Sequence, residues 1–285
     1  MKILFISDFG LHHNSGGAQK SNDLIIKKGI ELGHDIKLHN VDSSPIDLYE
    51  QYDLIISSNL EHIQKRNPEK IDFILASDNH VRLEHDSCLY LDADLRKKIF
   101  QHSKKNFFLS NFHIQFFREK YGDYFENVEI VYDPIDTNIF YQSDEDKEYD
   151  VVYCGFIHPL KGIDNLVNFS RINKHRQISV FGWADGNTDE NLKELFKKYE
   201  NITFHGKKDE KEIADILRKS KSVFHKPIVN EPFCRMIAEA LICGVKELIG
   251  DPYKLGSYLE FKEHGYDNFK KNCEDASNIF WSKIC

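Results

Sequence analysis

Short apolar runs alternate with helical stretches along this chain, and after an acidic interruption the alternation begins again. Residues 2–7 (KILFIS) are the first such run. A run of that length and composition suits a strand buried on both faces of a parallel sheet. Further strands are predicted at 35–39, 53–57, 73–77, 106–110 and 128–132. A second series follows at 149–155, 177–182, 201–206 and 222–225. Between the two, residues 143–148 carry Asp144, Glu145, Asp146 and Glu148, which reads as an exposed linker. The expectation is an α/β chain of two Rossmann-like units, 1–142 and 143–267, with a helix over about 268–285 returning to the first. A length of 285 residues accommodates both.

Composition narrows the function. Hydrophobic residues make up 41% and aromatics 13%, enough for real cores. A net charge of −8 argues against a dedicated nucleic-acid binder, which is normally basic. The six cysteines contain no CxxC pair, so they read as reduced thiols of a cytoplasmic protein rather than disulfides or zinc ligands. No apolar run approaches the roughly 18 residues of a membrane span. Contact with a membrane surface stays open.

Several stretches carry chemistry. After the first strand, Ser15-Gly16-Gly17 precedes a helix over 18–32, the order that places a ligand at a strand's C-terminal end. Paired glycines let backbone approach that ligand. The GxGxxG fingerprint is missing, so a nicotinamide cofactor is disfavoured. His80 follows the run 73–77 and is a candidate for orienting or protonating a ligand there. Lys161 stands just before a helix over 163–172, where a cation reinforces phosphate binding. The stretch 230–244 (NEPFCRMIAEALICG) reads as a loop entering a helix, with Glu231 as cap, Pro232 at the first position and Gly244 as its end. Amides of Phe233, Cys234 and Arg235 would then form an anion site, with Glu231 and Glu239 as hydroxyl acceptors on either side. The bland alternative is a capped core helix. Asp92 and Asp94 form an Asp-x-Asp that could hold a metal, but Arg96 to Phe100 is helical in character. Asp92 is better read as an N-cap and Asp94 as a first-turn acid.

Taken in order, these marks resemble the retaining nucleotide-sugar glycosyltransferases of family 4, which have the GT-B fold of two Rossmann-like domains facing across a cleft. Ser15-Gly16-Gly17-Ala18 is similar to their N-terminal glycine loop, and residues 133–140 (DPIDTNIF) to their hinge. Gly155 through Lys161-Gly162 resembles "GRLxxxKG", and Glu231 to Gly244 resembles "EPFGxxxxEAxxxG". The resemblance implies that Glu239 binds donor ribose. Glu231 would hold donor-sugar hydroxyls with help from the Phe233 and Cys234 amides. Lys161 would neutralise the diphosphate, and Gly16 and Gly17 would let it and the acceptor approach. His80 would contact the transferring sugar.

The implied donor is a UDP- or GDP-sugar, with no further cofactor and no metal. The implied acceptor is a glycan, a lipid or a small molecule. Two departures stand out: Phe156 occupies the place of the phosphate-binding Arg, and Cys234 that of a Gly. Arg235 is the candidate replacement cation. Two other readings remain: a non-catalytic sugar-nucleotide binder of the same fold, and a metal-dependent GT-A enzyme using Asp92 and Asp94.

Overall fold

In a computed structural model, which describes residues 1–10, 16–47, 49–87 and 90–284, the chain divides into two units. One comprises Met1–Pro134 with Asn272–Cys285, the other Ile135–Lys271. Ser15 of the glycine loop, Cys88 and Cys285 lie outside the described residues.

The first unit carries β1 (Lys2–Ser7), β2 (Asp35–His39), β3 (Leu54–Ser58), β4 (His80–Leu83), β5 (Lys105–Phe108) and β6 (Val128–Ile130). All pair in parallel, in the spatial order β2-β1-β3-β4-β5-β6. The strand order reverses at β1, with β2 on one side and β3 on the other, which opens a crevice at the C-terminal ends of β1 and β3. Leu4, Ile6, Ile55, Phe100, Phe108 and Phe117 centre one core of this unit. The helix Ala276–Ile284 packs on the same unit, where Trp281 donates its indole N–H to the Ile25 carbonyl at 2.8 Å. Gly29 makes room for that ring: a Cβ there would come within 2.4 Å of Trp281 Cζ2.

The second unit carries β7 (Tyr149–Phe156), β8 (Ile178–Trp183), β9 (Ile202–Phe204), β10 (Ser220–His225) and β11 (Glu247–Gly250), also parallel. Their order, β11-β10-β7-β8-β9, places the reversal between β7 and β10. Val151, Tyr153, Leu166, Val180, Phe196 and Phe224 centre its core. Among the described residues, no helix is long and apolar enough to cross a membrane.

Three local expectations are corrected. Residues 73–77 do not form a strand: Pro68–Leu75 is a helix with Pro at its first position and Asn67 before it. Ile71 and Ile74 give it a buried face at helical spacing. The helix expected from Pro232 begins three residues later, at Arg235, with Cys234 at the N-cap position. Glu231 is instead held in extended backbone beside Leu255: its N–H donates to the Lys254 carbonyl and its carbonyl accepts from Gly256. The acidic stretch is exposed over 144–148 as expected, but it lies inside the second unit, which begins at Ile135, rather than joining the two. Arg218 reaches Glu145 and the Ile139 carbonyl and lies over the Tyr141 ring, and the Glu148 N–H donates to the Lys219 carbonyl.

Candidate active site

The loops leaving β7 and β10 are zipped together at the crevice of the second sheet. The Ile228 N–H donates to the Leu160 carbonyl, and the Asn165 amide donates to the Lys226 carbonyl at 2.8 Å. Gly162 permits this closeness. Its φ of 85° is left-handed, and a Cβ there would sit 2.0 Å from the Lys226 oxygen. The packing sets Lys161, from the β7 loop, against Glu231, from the β10 loop: Nζ to Oε1 is 3.2 Å. His225, the last residue of β10, meets the same oxygen through Nε2 at 2.9 Å. Burial works to raise the Glu231 pKa, but the charges of Lys161 and His225 outweigh it and hold the carboxyl well below its ordinary range. Glu231 is therefore a permanent acceptor, with Lys161 the more exposed partner at 42% against 10%.

The helix Arg235–Ile242 starts beside this cluster. Cys234 sits at its mouth, its carbonyl accepting from the Ser257 hydroxyl at 3.0 Å. Burial and the neighbouring Glu231 charge push its thiol well above the usual range. Arg235 pairs with carboxylates of its own unit. Its Nε donates to Glu239 Oε1 at 2.9 Å, one helical turn along, and Nη2 lies 4.0 Å from Glu210. The expected replacement cation is thus a half-buried partner of the Glu239 carboxylate. Phe156, at the end of β7, stacks on His158 at 5.3 Å and packs against Trp183, with Lys207 above the Trp183 ring. Where the resemblance expects a guanidinium, this chain has an aromatic group.

In the first unit, a cavity of about 250 Å³ opens at the ends of β1, β3 and β4. Asp8, Asn59, Glu61, His62, Asp86 and Tyr90 line it. Asp8 accepts from the His62 and Ile63 amides at 2.9 and 2.8 Å, and Asn59 donates to Asp86 at 2.6 Å. Burial, then the charges of Glu84 and Asp86, push the Glu61 carboxyl up to about 8. Gly16 precedes the helix Gly17–Glu31, which opens with no side-chain cap.

His80 does not belong to this crevice. It is the first residue of β4, at the opposite end of the strand, and fully buried. Its two ring nitrogens are held by Ser57 Oγ at 2.8 Å and Ser103 Oγ at 3.0 Å. Burial, then the Arg82 and His102 charges, lower its pKa well below the usual value. It is a structural histidine. The histidine beyond the C-terminal end of β4 is His85, whose Nε2 meets Asn22 Oδ1 at 2.8 Å and whose Nδ1 lies 3.3 Å from Asp133. Asn22 in turn donates to Ser7 and Ser58, tying the imidazole to the ends of β1 and β3.

The strand His80–Leu83 has no counterpart among the sequence expectations, because Arg82 interrupts its apolar run. Arg82 and Glu84 are two apart on one face of extended chain and pair at 2.5 Å, both fully buried. That i, i+2 charge complementarity was the available signal. Asp92 accepts from the Asp94 and Leu95 amides and caps the helix Ala93–His102, with Asp94 in its first turn. Among the described residues, two groups have a metal-ligand composition, His225/Glu231/Cys234 and Glu260/Glu263/His264.

Structural comparison matches the whole chain to glycosyltransferases of known structure. Sucrose-phosphate synthase from Thermosynechococcus elongatus aligns with a TM-score of 0.69 and 13% identity, covering 100% of this chain and 96% of that one. AviGT4, a glycosyltransferase involved in avilamycin A biosynthesis, gives 0.64 and 13%, covering 100% and 97%. Anabaena Alr3699/HepE, solved with UDP and glucose, gives 0.61 and 18%, covering 100% and 95%. With the two parallel sheets, these likenesses show the GT-B fold. No curated protein matches in sequence. The family model for glycosyl transferases group 1 matches residues 135–278, just over half of the chain. This chain belongs to the group 1 glycosyl transferases.

Proposed function

We propose that this chain transfers a sugar from a nucleoside diphosphate-sugar to a hydroxyl acceptor, with retained configuration and without a metal, as a family 4-like enzyme of the cytoplasm. The observation that carries this reading is the convergence of Lys161, His225 and Glu231 at the reversal of the second sheet. A carboxylate that stays ionised accepts hydroxyl hydrogen bonds from the donor sugar. The adjacent ammonium neutralises the departing diphosphate, and the start of the helix Arg235–Ile242, with the Phe233 and Cys234 amides, adds partial positive charge. Together they stabilise the leaving group as the acceptor attacks from the same face. Glu239, oriented by Arg235, holds the ribose. UDP- and GDP-sugars are the donors to try first, since the HepE relative was solved with UDP-glucose.

In the first unit, Gly16 and Gly17 open the helix toward a phosphate, and His85 takes the sugar-contacting role first assigned to His80. The acid-lined cavity receives the acceptor. With Asp8 and Asp86 on its wall, it favours neutral or amine-bearing polyols over phosphorylated ones.

The test is a thermal-shift panel of nucleotide-sugars, followed by measurement of released nucleoside diphosphate with simple glycosides as acceptors. Stabilisation by one nucleotide class, with release of that diphosphate, supports the reading. A second reading is favoured by Phe156: a sugar-nucleotide-binding subunit that does not transfer. Donor binding with neither hydrolysis nor transfer would select it.

A further inference from the structure

We propose that His225, Glu231 and Cys234 form a binding site for a thiophilic divalent cation, of which Zn²⁺ is the natural probe, and that its occupation closes the donor pocket. His225 and Cys234 are each 4% exposed and Glu231 is 7% exposed. One ligand atom from each lies within 4.8 Å of the other two, and His225 Nε2 and Glu231 Oε1 are 2.9 Å apart. Around a zinc ion with bonds of about 2.0–2.3 Å, tetrahedral ligand atoms stand roughly 3.3–3.7 Å from each other. Small side-chain adjustments therefore suffice. Imidazole, carboxylate and thiolate are ligands zinc accepts, and three protein ligands leave its fourth position to a solvent molecule.

The surroundings favour this use of the cluster. His225 Nε2 faces the ionised Glu231 and therefore carries a proton that a metal bridging the two would displace, while Nδ1 is buried with no hydrogen-bond partner. Cys234 and Glu231 as anions balance the charge of the dication. The thiol proton leaves to solvent as the metal–sulfur bond forms, so affinity rises with pH. Lys161 is the opposing charge, 3.2 Å from Glu231 Oε1, but its side chain is 42% exposed and has water to turn into. The second ligand-like group, Glu260/Glu263/His264, has only Glu260 buried and serves as the control.

The competition with donor rests on the proposed function, because it requires Glu231 to hold the donor sugar. One carboxylate cannot serve both. Metal and nucleotide-sugar then exclude each other, and zinc is an inhibitor rather than a cofactor.

Cobalt(II) titrated into the chelator-stripped full chain, under a phosphine reductant, tests the site directly. The expected result is a one-equivalent thiolate-to-cobalt charge-transfer band with the strong visible bands of four-coordinate cobalt, both bleached by Zn²⁺. Both should vanish in Cys234→Ser and persist in Glu263→Gln/His264→Asn. Circular dichroism checks the fold of each variant, and Cys234→Ala replaces Cys234→Ser if the latter does not fold. Absence of the charge-transfer band, or its survival in Cys234→Ser, overturns the site. Saturating Zn²⁺ should then weaken UDP-glucose or GDP-glucose binding at least tenfold, reversibly with EDTA. Unchanged donor affinity at full zinc occupancy overturns the competition. If no nucleotide-sugar binds even without metal, the transferase reading fails while the cobalt spectrum still decides the site.

Discussion

Lys161 Nζ stands 3.2 Å from Glu231 Oε1, although 70 residues separate them in sequence. Two loops, one after β7 and one after β10, must be held together for this contact to exist. Gly162 and the hydrogen bonds of Ile228 and Asn165 hold them. Lys161→Ala should weaken nucleoside diphosphate binding by about 1–2 kcal/mol, or roughly 5- to 30-fold in Kd. This is the lower part of the charge-assisted range, because the ammonium is partly exposed. Titration calorimetry with UDP and GDP reads it directly. An unchanged Kd would remove Lys161 from the diphosphate site.

The two carboxylates should separate in their effects. Glu239→Gln should weaken the nucleoside diphosphate alone, since its partner is the ribose. Glu231→Gln should leave that affinity near wild type and lower transfer, since its partner is on the sugar. Each loss is about 1.5–3 kcal/mol. Kd for the diphosphate and kcat for transfer, measured on both variants, distinguish them. Equal loss of diphosphate affinity in both would contradict the assignment.

The two histidines of the β4 region should separate as well. His85→Ala should lower kcat roughly 10²-fold with donor Kd unchanged. His80→Ala should leave turnover per folded molecule near wild type but cost about 2 kcal/mol of stability, because it removes two buried hydrogen bonds, to Ser57 and to Ser103. Turnover normalised to folded protein, alongside denaturant unfolding, makes the comparison. The reverse pattern would restore His80 to the site.

Glu61 sets a pH dependence. Its carboxyl is pushed up to about 8 in the folded chain by burial, then by the charges of Glu84 and Asp86. A folded pKa above the unfolded one gives stability that is fully present below the unfolded value, near 4.5, and lost as pH rises through about 8. The melting temperature should therefore fall between pH 5 and pH 8, by about 2–4 °C per kcal/mol lost. Glu61→Gln should flatten that fall. A wild-type slope unaltered by the substitution would place the titration elsewhere.

Most of the architecture was legible because parallel strands buried on both faces announce themselves as apolar runs, as at residues 2–7 and 149–155. The strand carrying Arg82 was hidden, since a charged residue reads as exposed until its partner Glu84 is seen two positions on. The run 73–77 was misread for the complementary reason: Pro68 and the spacing of Ile71 and Ile74 mark a helix, and a short apolar run alone does not separate the two. Motif order singled out Glu231, Lys161 and Glu239, and the structure brings Lys161 and Glu231 together while Glu239 pairs with Arg235. That last pairing was not legible, because a cation in the first turn of a helix reads the same whether it faces a ligand or a carboxylate one turn along. His225 was missed because nothing local marks a strand's last residue as the partner of a loop carboxylate.

The most direct measurement is release of nucleoside diphosphate from UDP- and GDP-sugars by the purified chain in excess EDTA, with wild type and Glu231→Gln side by side. Steady release by wild type that survives EDTA and falls at least about tenfold in Glu231→Gln is the expected result. Release abolished by EDTA and rescued by manganese, or release indifferent to Glu231, would contradict a metal-independent transferase built around the Lys161–Glu231 pair.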